Sequence, residues 1–188
     1  MNRFLYLKIF YHNVIITISG LPGSGKTSVG KIIAKRLKIK FFSIGNMVRE
    51  YAKDNKIPLD EMEKLISEDY SVNVAIDDKQ KKLLKYKSFI IDSRIGAFIF
   101  KNANFRIYIH ASFKKRIERI ARREKKSIAK AGYETRIRER NELKQYKRHY
   151  NIDYRNKKYY NLIINTENLD ENQTADRIIK VIETKNKG

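Results

Sequence analysis

The sequence predicts an α/β protein: a five-stranded parallel sheet between two helical layers, a three-layer sandwich. Three observations predict it. Short apolar runs, VIITIS, FIID, FRIYIH and LIIN, alternate with longer segments whose apolar residues recur at helical spacing. That alternation belongs to a sheet covered on both faces. The 188 residues, 41% of them hydrophobic, suffice for one domain with its own core. Finally, the first apolar run leads directly into GLPGSGKTS, a glycine-rich turn between a strand and a helix.

Taken in order, residues 14–19 read as a buried strand, being short, β-branched and followed by glycine. Residues 27–37 carry apolar side chains at 29, 32, 33 and 37, an amphipathic helix. A short strand at 40–42 and a helix at 44–55 follow. Pro58 then opens a segment in which Leu59, Met62, Leu65 and Ile66 recur at helical spacing. A helix is predicted over 72–86, and strands over Phe89–Asp92 and Phe105–His110. Residues 112–123 make a very basic helix, and 131–150 a long one loosened near Gly132. The strand Leu162–Asn165 and a helix over 173–184 close the chain. No repeat, low-complexity linker or composition shift marks a second domain.

Composition removes several function classes. Without cysteine there is no disulfide, thiolate metal site or cysteine nucleophile. The longest apolar runs are far too short to span a bilayer. The opening MNRFLYLKIFYHN has no small-residue cleavage site after it, so the expected compartment is the cytoplasm. The formal charge of +21 has two readings. One is a nucleic-acid or other polyanion binder. The other is a lysine-rich composition combined with a substrate carrying several phosphates. The basic residues are spread along the chain, with one concentration over 114–148.

GLPGSGKT fits G-x-x-x-x-G-K-[ST] at Gly20, Gly25, Lys26 and Thr27. Backbone N–H groups along Gly20, Leu21, Pro22, Gly23, Ser24, Gly25, Lys26, Thr27 and Ser28, where present, would converge on a phosphate that a Cβ would obstruct. The following helix adds its positive N-terminal end. Lys26 would reach the β- and γ-phosphates of ATP, and the Thr27 hydroxyl would ligate Mg²⁺. A strand before and an amphipathic helix after are the context this motif requires.

A cradle of this kind serves hydrolysis, switching or phosphoryl transfer. Asp92 ends a buried strand, as a metal-side carboxylate does, but Arg94 follows two residues later. Arginines crowding a triphosphate suit a second phosphorylated substrate, because guanidinium groups cancel the repulsion between two polyanions and the charge of the transition state.

At this point the chain resembles a known family, the small archaeal-type cytidylate kinases within the nucleoside monophosphate kinases. The similarity runs from IITISGLPGSGKTSVGKIIAKRL through SIGNMVREYAK, IIDSR, RIERIARRE and ERNELKQYKRHYNID to LIINTENLD. The resemblance implies a P-loop fold with a helical monophosphate-binding insert at about 43–86 and a lid at about 119–131. It places them in one domain over 14–186, after an unassigned extension over 1–13. It implies that Arg49 and Arg94 bind the phosphate of the acceptor and that Asp92 holds Mg²⁺ through water. Arg119 and Arg123 would clamp the transferring phosphoryl and stack on adenine. Arg138 and Glu142 would face the acceptor, Glu142 accepting from a ribose hydroxyl. The substrates implied are MgATP and CMP or dCMP, the catalytic side chains being Lys26, Arg94, Arg119 and Arg123.

Three departures from the family pattern stand out: Ser93 for a glycine, Gln145 for an arginine and Asn161 for an aspartate. The base preference comes from the resemblance. Ser43, Asn73, Asp77 and Gln80 are the polar candidates for base contact in the insert. His110 and His149 are expected to be structural. AMP, UMP or dephospho-coenzyme A kinases share this architecture as alternatives, and a nucleic-acid-binding NTPase is the rival from another class. A monomer is expected, with small-molecule partners and no membrane.

Overall fold

The computed structural model describes residues 13–185. The extension over 1–13 therefore lies, apart from Asn13, outside the described residues. Five strands form one parallel sheet: β1 (Ile15–Ser19), β2 (Lys40–Ser43), β3 (Phe89–Asp92), β4 (Phe105–His110) and β5 (Leu162–Asn165), in the order β2-β3-β1-β4-β5. Burial follows that order. Ile16, Ile18, Phe89, Ile90, Ile91, Ile107 and Ile109 on the three inner strands are fully buried, whereas the edge strand β5 alternates between half-buried and exposed.

Successive residues of β3 point to opposite layers. Ile90 packs with Ile16, Ile18, Ile107 and Ile109 beneath α1 (Lys26–Leu37) and α8 (Glu171–Lys185), through Val29, Ile33, Ile178 and Ile182. Phe89 and Ile91 face the other layer, where Leu83, Phe100 and Ala103 cover them. This side also holds α5 (Gly96–Ile99), a single turn too short for any periodicity to reveal.

Between β2 and β3 the chain builds three helices: α2 (Ile44–Asp54), α3 (Leu59–Glu68) and α4 (Tyr70–Lys81). The helix predicted over 72–86 is thus shorter and shifted. Asp69 caps it by accepting from the Ser71 N–H, and its last turn tightens into a 3₁₀ segment over Lys82–Lys85. After β4, α6 (Phe113–Glu124) and α7 (Ile128–Tyr150) form a hairpin, with Lys125 reversing the chain at φ 52°. The prediction of a helix beginning at 131 and loosened at Gly132 is corrected. Ser127 caps α7 three residues earlier, and the helix runs through Gly132 without interruption.

Register decides where the site lies. Ile18 and Ser43 both pair with Asp92, so the carboxyl ends of β1, β2 and β3 finish level. The first connection from β1 leads toward β2 and β3, while β4 lies on its other side, which opens a crevice at the carboxyl edge of the central strand.

Candidate active site

The glycine-rich turn fills that crevice. Gly23 and Gly25 adopt φ values of 77° and 98°, a region open chiefly to glycine. A Cβ on Gly23 would also lie 2.6 Å from the Arg116 carbonyl oxygen. The helix α1 starts at Lys26 itself, so its first N–H groups open onto the turn. Lys26 is only 7% exposed, and its Nζ donates to the Leu21 carbonyl at 3.1 Å. Burial, then the positive Arg94, push its pKa down to about 7 against the opposing pull of Asp92 and Glu142.

Next to it, the Thr27 hydroxyl donates to Asp92 Oδ2 at 2.5 Å, and the Ser43 hydroxyl donates to the same oxygen at 3.2 Å. Ser43 also caps α2, accepting from the Asn46 N–H at 3.4 Å. Among the described residues no three histidine or carboxylate side chains gather into a metal cage. Thr27 and Asp92 together fit Mg²⁺ instead, a cation that keeps waters and phosphate oxygens as ligands and needs few from protein.

On the facing wall Arg94 and Glu142 form a two-point ion pair, Nε to Oε2 at 2.8 Å and Nη2 to Oε1 at 3.2 Å. Arg94 Nη1 donates to the Gly20 carbonyl at 2.9 Å, which ties this wall to the turn. Arg138 Nε donates to Glu142 Oε1 at 3.0 Å, and the Tyr154 hydroxyl to Oε2 at 3.2 Å. Burial alone would raise the Glu142 pKa, but Arg94 and then Arg138 hold it at about 2. Burial likewise opposes the charge on Arg94, and Glu142 outweighs it, raising that pKa above its ordinary value.

The three arginines on which a two-phosphate site depends, Arg49, Arg94 and Arg123, all line one cleft of about 1380 Å³. Arg49 Nη2 donates to Asn46 Oδ1 at 2.5 Å, and the guanidinium lies over Gly45. Arg123 stands at the cleft rim with a side chain 65% exposed, paired with the neighbouring Glu124. Arg119 is placed differently. Its Nη atoms donate to the Thr166 hydroxyl and carbonyl at 3.1 and 2.6 Å, and to the Leu169 carbonyl at 3.4 Å. Those three bonds hold the loop after β5 and commit most of the guanidinium's five N–H groups to the scaffold.

Of the polar candidates in the insert, Asn73 is committed to the scaffold. It donates to the Ile66 and Asp69 carbonyls and accepts from Gln145 Nε2 at 2.6 Å. Gln145, the departure from an arginine, thereby fastens α7 to the insert. Ser93, the departure from a glycine, donates to Gln80 Oε1 at 2.8 Å, and Gln80 Nε2 donates to Asp77 Oδ1 at 3.1 Å. Neither His110 nor His149 lines the cleft, and His149 Nε2 lies 3.5 Å from the Ser67 carbonyl.

Sequence reasoning passed over Arg116 as one cation on a basic helix. It is buried beneath the turn, where Nη1 donates to the Pro22 carbonyl at 2.9 Å and pairs with Glu139. The signal was present: Arg116 shares a helical face with Phe113, Ile117 and Ile120. Tyr146 and Tyr154 were also missed: Tyr146 stands one helical turn past Glu142 on α7, a spacing visible in the sequence, whereas the place of Tyr154 depends on where the chain returns after α7.

A phosphate cradle at the carboxyl edge of the central strand, faced by arginines from the insert, from β3 and from the α6–α7 hairpin, defines a small P-loop kinase. Residues 15–168 match the cytidylate kinase-like family, and the chain belongs to it. It is 36% identical over 171 residues to a cytidylate kinase of Archaeoglobus fulgidus, covering 90% of this chain and 95% of that protein. With a cytidylate kinase of Sulfolobus acidocaldarius the identity is 38% over 173 residues, 91% of this chain and 95% of the other. Among solved structures, shikimate kinase from Acinetobacter baumannii in complex with shikimate superposes with a TM-score of 0.63 at 15% identity, covering 95% and 98% of the two chains. An uncharacterized protein from Eubacterium ventriosum gives 0.66 at 21% identity, covering 91% and 99%. At such identities the likeness is one of fold.

Proposed function

We propose that this protein transfers the γ-phosphoryl group of MgATP to CMP, and to dCMP, giving ADP and the corresponding diphosphate. Cytidylate kinases of several archaea, alike over nine-tenths of this chain, support the choice of acceptor. The observation that carries the reading is Arg94, which bonds at once to the turn, at Gly20, and to the Glu142 cluster on the opposite wall. One guanidinium therefore stands between donor and acceptor phosphates, where the transferring group passes.

The glycine turn and Lys26 hold the triphosphate. The Thr27 hydroxyl and Asp92 would hold Mg²⁺, which would supply charge neutralisation to the triphosphate. Arg49, Arg94 and Arg138 receive the acceptor phosphate, and Glu142 orients the two latter. Arg119 positions the loop beneath adenine, and Arg123 reaches in from the lid at about 119–131. Closure of that lid and of the insert at about 43–86 excludes water, so that transfer outpaces hydrolysis. No protein nucleophile is required, because catalysis of this type rests on positioning and charge stabilisation. The whole machinery is read as one domain over 14–186, acting as a cytoplasmic monomer. Among the described residues, no helix is long and apolar enough to cross a membrane.

The test is ADP release with a panel of acceptors: CMP, dCMP, UMP, AMP and dephospho-coenzyme A. CMP and dCMP are expected to be fastest, and absence of any acceptor-dependent release overturns the reading. Stimulation by RNA instead would revive the rival NTPase. Five of the 42 lysines and arginines, Lys26, Arg49, Arg94, Arg123 and Arg138, line the cleft, which suits a substrate pair carrying several phosphates.

A further inference from the structure

Along the acceptor side of the cleft run three side chains from two separate elements, Ser93 after β3 and Gln80 and Asp77 on α4. All are buried, Gln80 to 1% exposure. Their bonds have a forced direction. A carboxylate only accepts, so Gln80 turns its amide nitrogen to Asp77, at 3.1 Å, and its oxygen to Ser93. Ser93 then has to donate its single hydroxyl proton to that oxygen, which it does at 2.8 Å. A flipped Gln80 would set its oxygen against the carboxylate, two buried acceptors with no proton between them. Ser93 is itself anchored, its N–H donating to the Ile18 carbonyl and its own carbonyl accepting from the Ser19 hydroxyl at 2.8 Å. The chain of bonds thus starts at the central strand and ends at a carboxylate on the cleft wall.

We propose that Ser93 and Gln80 are positioning residues that hold Asp77 as a fixed acceptor for the exocyclic amine of the acceptor base, so that an aminopyrimidine monophosphate is taken and its keto counterpart rejected. This rests on the acceptor reading above. One oxygen of Asp77 is engaged by Gln80 and the Tyr150 hydroxyl lies against the same carboxylate, which still lines the cleft beside Tyr146 and keeps lone pairs for a donor there. An amine donates to them. The O4 of uracil presents a lone pair and is repelled, and discrimination of this kind, by a buried polar group left without its partner, reaches about 10⁴-fold. Ser93 also connects base to phosphate, because the next residue is Arg94. A base seated correctly at Asp77 and a phosphate seated at Arg94 are gauged against the same strand end.

The experiment compares kcat/KM for CMP and for UMP on the same preparations of the wild-type chain, Ser93→Ala, Gln80→Met and Asp77→Asn. The ratio cancels any misfolded fraction, which lowers both rates alike. Expected are a tenfold or greater fall in the CMP:UMP ratio for Ser93→Ala and for Gln80→Met, expressed mainly in KM. Asp77→Asn, whose amide can donate to O4, should bring the ratio close to one. A ratio unchanged within twofold in both Ser93→Ala and Gln80→Met, while CMP is still phosphorylated, overturns the positioning role and leaves the kinase reading intact. A wild-type chain that ignores CMP but turns over another monophosphate overturns both.

Discussion

Lys26 is held between opposing demands: the fold buries an ammonium group, and the phosphoryl transfer proposed above needs it charged. Burial and then Arg94 bring its pKa to about 7, well below the ordinary lysine value of 10.5. Between those two values the unfolded chain carries a proton that the folded one has released, so this group makes folding stability rise with pH across that window. A bound triphosphate reverses the balance, since several negative oxygens favour the charged form. Nucleotide binding at pH 8 is therefore expected to take up close to one proton, and at pH 6 almost none. ATP affinity should weaken as pH rises above 7. Calorimetric titrations in buffers of different ionisation enthalpy measure the uptake directly, and a value near zero at pH 8 would rule this out. The same scale separates residues that look alike in the sequence. Arg116, Arg119 and Arg123 recur on one basic helix, yet one braces the turn, one braces the loop after β5 and one stands at the rim.

Among the elements, α7 carries the most. Over Ile128–Tyr150 it supplies Glu139 to Arg116, Arg138 and Glu142 to the Arg94 wall, and Gln145 to the insert. Glu139, Glu142 and Gln145 follow at intervals of three and Arg138 stands four before Glu142, so all fall toward one side of the helix. Such a strut works only if it is straight, and Gly132 in its second turn is a soft point. A Cβ added there would meet nothing nearer than Ile117 Cγ2 at 3.8 Å, an ordinary contact. Gly132→Ala is accordingly expected to stabilise the protein by about 0.5–1 kcal/mol, through the lower entropy of the unfolded chain. In thermal unfolding this is a rise in Tm of about 2 °C, with kcat unchanged within a factor of about two. A lower Tm would mean that the helix bends at Gly132 after all. The sequence invited that error, because helix propensity penalises glycine locally whereas the packing of α6 on α7 is a tertiary matter.

For the molecule as a whole, the consequence of the fold is one cleft with two unlike halves. About 1380 Å³ exceeds the range of roughly 300–1,000 Å³ usual for a single small ligand. The phosphate turn opens into one half and the Arg49–Arg138 side into the other, with Arg94 between them. An adenosine and a cytidine joined through a five-phosphate bridge should span both. Since the second half then binds at a high effective concentration, this compound is expected to bind at least 100-fold more tightly than ATP or CMP alone. Competition against a fluorescent nucleotide tests it, and an affinity no better than that of ATP would show that the halves are not filled together. Convergence on this cleft also accounts for part of the positive charge that composition left open between a small polyphosphate and a nucleic acid.

Sandwich and cradle are legible from residue order alone, because both are written in short-range terms. Buried strands announce themselves as β-branched runs, helices as apolar residues at their own period, and the phosphate turn as glycines at fixed spacing before a lysine. Which side chains meet is settled instead by how the elements pack. Ser93 finds Gln80 through the way α4 lies against the end of β3. Arg119 is tied to Thr166 and Arg116 to Pro22 through the packing of α6 across the sheet edge. Asn73, a candidate for reading a base, is instead bound into the frame by Gln145, 72 positions away. Contacts of that kind depend on strand order and helix placement, which are settled by burying the core as a whole and leave no local mark on the residues they join.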